Sequence, residues 1–176
     1  MDEIVALIEK IIEEHRVIIS DFQSLEAVAN DASAIIGLEK AKDSFMPGRF
    51  DQKEGLSEFQ ESLEKVDKGV RAHFNREETA LLAAFEKHGD RSLVTALKSL
   101  LLEHEDLRNR LDHSREHIAE LASGGLARQQ WEASAHDMRA HLSHTRKLFG
   151  THAAIEMELL VDMRKHLQGK SAGKGK

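Results

Sequence analysis

The chain has 176 residues, 40% of them hydrophobic and 32% charged, which suits one domain with a real core and leaves no room for a second. A net charge of -6 argues against the concentrated basic face that phosphate binding needs, and none is visible in the sequence, so no nucleic-acid partner is expected. With no cysteine and no tyrosine, disulfides, thiolate-held metals and tyrosyl chemistry are excluded, and the 11 histidines become the compositional oddity.

The acidic opening MDEIVALIEK carries neither a basic leader nor a long apolar run. Neither a signal peptide nor a membrane span is expected, and the location is read as cytoplasmic. Ile4, Ile8, Ile11, His15, Ile18, Phe22, Leu25 and Ala29 follow a helical period behind Asp2 as N-cap, predicting helix A over roughly 2 to 29. From Asn30 to about Gly55 the pattern weakens, and MPGRFDQKEG holds the only proline, so this reads as a long connection. Helix B is predicted from about Leu56 to His88, with Phe59, Leu63, Val66, Val70, His73, Glu77 and Leu81 on one stripe, and Gly89 ending it.

Asp90 caps helix C, whose stripe is Leu93, Leu97, Leu100, His104, Leu107, Leu111, Ile118 and Leu121 before Ser123-Gly124-Gly125. Helix D carries Met138, Leu142, Thr145, Leu148, His152, Ile155/Glu156, Leu159 and Met163, with a bend at Gly150 and an irregular lead-in through LARQQWEAS. Residues 1–168 form the expected domain. Residues 169–176, GKSAGKGK, read as a disordered tail. Four amphipathic helices with short or moderate links predict an all-α, up-down-up-down antiparallel four-helix bundle.

Each stripe holds one mid-helix histidine: His15, His73, His104 and His152. Glu77 follows His73 and Glu156 follows His152 at i+4, which puts each pair on one helix face. A carboxylate buried in a helix core is strongly unfavourable unless paired, protonated or bound to a cation, and no lysine or arginine stands on these stripes near the histidines. A metal satisfies both glutamates at once. Imidazoles suit divalent first-row metals and carboxylates are harder donors able to bridge two ions, so the set favours iron, with manganese possible, over copper or structural zinc. Six ligands suit two ions with open positions for dioxygen, peroxide or nitric oxide.

A tight turn at Gly89-Asp90 sets His104 level with position 75, between His73 and Glu77. A tight turn at 124–125 would instead set His144 or Thr145 level with His104, so His152 fits only if helix D begins its straight run near Ala135. His144 is the reserve ligand for the tight-turn case. His113 and His117 read as an exposed i,i+4 pair able at most to hold adventitious metal. His141, three turns from His152, cannot share its site.

The runs LIEKIIEEHRVIISDFQSLE, VRAHFNREETALLAAFEKHG, LLLEHEDLRNRLD and THAAIEMELL resemble the helices of the haemerythrin-like, HHE cation-binding family, across roughly residues 4 to 165. The family's motif order, a lone His, HxxxE, a lone His and HxxxE, is met in sequence. The resemblance implies a non-haem di-iron site, oxo- or hydroxo-bridged, with His15, His73, His104 and His152 as terminal ligands and Glu77 and Glu156 bridging. Many relatives add a fifth histidine or carboxylate, for which Glu39, Asp43, Glu58, Glu78, His144 or water would substitute here. The HxxxH and HxxxxD of invertebrate oxygen carriers and the cysteine-bearing segment of iron–sulfur repair proteins are not matched. The functions implied are sensing, storage or detoxification of O2, H2O2 or NO by a monomer or weak homodimer. The alternatives are an iron-dependent oxidoreductase or iron donor in iron–sulfur repair, and a metal-responsive interaction domain. Glu78, beside Glu77, is expected to be mostly dispensable.

Overall fold

The structure is a computed structural model that describes residues 2–30, 50–123 and 125–173, the side chains of 50–55 and 171–173 excepted. Among the described residues the chain is all-helical, with no strand. Helix α1 spans Asp2–Asn30. The second arm is α2 (Phe50–Arg76), a π-helical turn (Glu77–Leu81) and α3 (Leu82–His88). The third is α4 (Arg91–Leu101) and α5 (Glu103–Ala122), and the fourth is the single helix α6 (Arg128–Gly173). No helix among the described residues is long and apolar enough to cross a membrane.

Helix α1 packs against α2 and α6, and α5 packs against α6 and α2, while α4 closes on α3 and α6. Local chemistry sets the turns. Asp90 caps α4 by accepting from the Leu93 N–H at 2.9 Å, as its position after Gly89 predicts. The apolar stripes bury two separate clusters: one runs from Ile18 and Phe22 through Val70 and Phe74 to Phe149 and Ala153, the other from Ile8 and Ile11 through Leu81 and Phe85 to Leu160 and Leu167. A polar layer lies between them. It contains His15, His73, Glu77, His104, His152 and Glu156, each no more than 2% exposed.

Several boundaries differ from the expectation. Helix α2 begins at Phe50, ahead of Leu56, while Glu39 and Asp43 of the connection lie outside the described residues. LARQQWEAS, expected as an irregular lead-in to a run from Ala135, is helical from Arg128. Gln130 Oε1 accepts from the Ala127 N–H at 3.2 Å, half of a capping box, and buried Trp131 donates from Nε1 to the Leu121 carbonyl at 3.0 Å. With this anchoring at Leu121, α6 starts seven residues, about two turns, ahead of Ala135. With α6 begun this early, His152 comes level with His104, their Nε2 atoms 3.2 Å apart.

Gly150 passes through α6 without ending it, and α6 also includes residues 169–173 of the expected tail. Leu167 is buried, and Lys170 Nζ donates to the His88 carbonyl at 2.9 Å, which carries the helix past Gly169. Residues 174–176 lie outside the described residues. Ile155, placed on the buried stripe, is 49% exposed, and Leu160 takes the core position.

Candidate metal centre

One helical arm supplies each histidine of the polar layer. His73 Nε2 lies 2.6 Å from Glu77 Oε1, the i,i+4 contact their spacing predicts. His15 Nε2 reaches Glu156 Oε2 at 3.1 Å and Glu77 Oε1 at 3.6 Å. Across the layer His104 Nε2 lies 3.1 Å from Glu77 Oε2 and 3.2 Å from His152 Nε2. His152 Nε2 is 3.7 Å from Glu156 Oε2. All six predicted residues therefore meet. Their donor atoms form two groups, His15 with His73, Glu77 and Glu156, and Glu77 with His104 and His152, the atoms of each group lying within 4.8 Å of one another. Only Glu77 belongs to both.

The backbone is irregular on two arms at this level. Glu77 opens the π-helical turn, and α4 breaks from α5 at Leu102, two residues before His104. A π turn closes with i→i+5 bonds and is wider than an α turn. Adjacent residues Glu77 and Glu78 both reach His104 from it, Glu77 to Nε2 and Glu78 Oε1 to Nδ1 at 2.8 Å.

A second layer of carboxylates holds the imidazoles from behind. His73 Nδ1 lies 3.1 Å from Glu14 Oε2, and His152 Nδ1 lies 2.9 Å from Glu103 Oε2, matching Glu78 behind His104. Two of these carboxylates are themselves tied to arginines: Arg76 Nη1 to Glu14 at 2.6 Å, and Arg108 Nη2 to both oxygens of Glu78 at 2.7 and 2.8 Å. The basic residues missing from the stripes thus stand one shell outside. Glu78, expected to be mostly dispensable, is a partner of His104 because the π turn aims it inward. Sequence reading missed Glu14 and Glu103 as well. Its available signal was a glutamate directly before His15 and His104, although Glu14 serves His73 and Glu103 serves His152, across helices.

These bonds fix the tautomers and test the fit for a cation. A carboxylate only accepts, so the three Nδ1 atoms donate, and a neutral ring then turns a lone pair inward at Nε2. His104 and His152 set two such lone pairs 3.2 Å apart, which is repulsive without a proton or cation between them. Both oxygens of Glu77 and Oε1 of Glu156 are buried with no hydrogen-bond partner. Such atoms are costly to leave bare, and a divalent cation satisfies them together. The residues fit a metal.

In the metal-free chain, protons take up part of this charge. Burial opposes a charged His15, yet its bond to Glu156 and the nearby Glu77 carboxylate outweigh that and push it up to about 9. Burial, offset in part by His15, raises Glu156 to about 7, with the charge of Glu77 adding to the rise. Glu77 is equally buried, but the imidazoles of His104, His15 and His73 crowded against it hold it well below the usual carboxylate range. Burial also lowers His152, against the pull of Glu103 and with the help of His104, favouring the neutral ligand form.

Aromatic rings close the layer from below. Phe74 stacks on His104 with centroids 3.7 Å apart, and Phe149 lies 6.2 to 6.4 Å from the rings of His15, His73 and His152. Compared with known proteins, the chain matches no protein-family model, no curated protein and no solved structure. The site stands on its own geometry. Of the reserve ligands, His144 is exposed and forms no part of either donor group, and Glu58 is also exposed on α2.

Proposed function

We propose that the chain is a haemerythrin-like non-haem di-iron protein, an up-down-up-down bundle acting in the cytoplasm as a monomer or weak homodimer. It would bind or react with O2, H2O2 or NO for sensing, storage or detoxification. The observation that supports this most is the sharing of Glu77 by two groups of buried donors. His15, His73, Glu77 and Glu156 would hold one ion, and His104, His152 and Glu77 the other. Two irons, with manganese as the alternative, would supply the redox chemistry that the side chains lack.

The chain's own contribution is orientation and exclusion of water. Glu14, Glu78 and Glu103 fix the rings of His73, His104 and His152 with Nε2 inward, while Phe74 and Phe149 shield the layer. The group with three donors leaves more positions for a small ligand than the group with four. The test is anaerobic iron loading with metal counting and spectroscopy, followed by O2, H2O2 and NO. Two irons per chain and a spectral response to at least one of the three are expected. A loaded site inert to all three would point to a structural or metal-responsive role instead.

A further inference from the structure

We propose a second metal site, formed by His113, His117 and His141 between α5 and α6, that takes a divalent ion of the imidazole-preferring kind such as zinc. His113 and His117 are one turn apart on α5, with ring centroids 5.9 Å apart. The fold adds a third ring that their spacing does not reveal: His141 of α6 lies 5.9 Å from His113 and 6.3 Å from His117. The three rings form a nearly equilateral triangle that joins two helices.

Their hydrogen bonding leaves nitrogen lone pairs available. His141 donates from Nε2 to the Arg110 carbonyl at 3.0 Å, so in the neutral ring Nδ1 carries the lone pair. His117 Nδ1 is shut off from water without a hydrogen-bond partner. His113 is 66% exposed, with only Glu116 Oε2 at 3.6 Å, and its ring is free to turn. Around a tetrahedral ion with metal–nitrogen distances of about 2.0–2.1 Å, three imidazole centres stand roughly 5 Å apart. The triangle is about an ångström wider than that, and its donor atoms are not drawn together as in the buried groups, so binding turns the rings inward, the exposed His113 most freely.

The donor set selects the ion. Three imidazoles favour zinc, nickel or copper over magnesium or calcium, and three histidines with a water complete a tetrahedral zinc shell. Eleven residues of α6 separate His141 from His152, about 16 Å at 1.5 Å per residue, so the two sites share no ion. An ion bound here clips α5 to α6 and stabilises the folded chain alone.

The test is equilibrium dialysis of the metal-free protein against zinc at pH 7.5, followed by metal counting. His113→Gln and His141→Gln should each lower the count by one equivalent per chain, whatever number the buried centre takes. His152→Gln should spare that equivalent, and zinc should raise the melting temperature of the His152 variant but raise that of the His152→Gln, His113→Gln double variant less. Because His113 is exposed, its substitution leaves the fold intact, which circular dichroism confirms. An unchanged count in His113→Gln, or an equal loss on replacing exposed His144, would mean an adventitious ion only and overturn the proposal. A count that falls only in His152→Gln would place all bound zinc in the buried centre and overturn it too.

Discussion

Glu78→Ala separates a centre held by its second layer from one held by its six inner side chains alone. The carboxylate accepts from His104 Nδ1 at 2.8 Å and from Arg108 at 2.7 and 2.8 Å. A hydrogen bond to a charged group contributes about 1.5–3 kcal/mol, but Glu78 is 34% exposed and water replaces part of what is lost. The metal-free protein should therefore lose only ~1–2 kcal/mol. Metal affinity should fall further, by about 10–100-fold, because no acceptor then fixes the His104 tautomer, although Phe74 still stacks on the ring. Competition against a chelator of known affinity gives the second quantity and urea unfolding the first, with exposed Glu58→Ala as the control. Wild-type affinity in Glu78→Ala would refute the role of the second layer.

Three further outcomes follow from the same geometry. Phe149→Ala should cost ~3–5 kcal/mol in chemical denaturation, as for other buried aromatic truncations, and a cost below 1 kcal/mol would mean that Phe149 is not the packed floor of the site. Gly150→Ala should stabilise by ~0.5–1 kcal/mol, because an added Cβ meets nothing within 4 Å on this helix; destabilisation would show that Gly150 is needed for a bend. His15 and Glu156 both have raised values, about 9 and about 7, so the metal-free fold binds protons that the unfolded chain releases. Their stabilisation is lost as pH rises, Glu156 through about 7 and His15 through about 9, while the lowered Glu77 contributes throughout the neutral and alkaline range. Lowered His152 works the other way below its ordinary 6.5, so unfolding in chelator should show stability declining from about pH 6.5 to 9, whereas stability rising across that window would contradict these proton sites.

Much of the centre was legible because helical periodicity puts i and i+4 on one face. His73–Glu77 and His152–Glu156 needed only that rule, and four mid-stripe histidines needed only the expectation that stripes face each other. What sequence periodicity could not supply was contact between arms. Glu14 adjoins His15 but serves His73, and Glu103 adjoins His104 but serves His152. The π turn at Glu77–Leu81 has no proline or glycine to announce it, and without it Glu78 reads as an outward neighbour. The same limit hid His141: His113 and His117 are visible as a pair, but their third member comes from another helix. The start of α6 was missed because the cap from Gln130 and the bond of Trp131 to Leu121 outweigh the loop-like look of LARQQWEAS.

The central claim is that Glu77 serves two ions. Counting iron in anaerobically loaded protein, in a His113→Gln background to remove the outer site, measures it directly. Two irons per chain are expected, falling to fewer than one in folded Glu77→Gln because both donor groups lose the same carboxylate. A Glu77→Gln protein that keeps its fold and still binds two irons, or loses only one, would contradict it.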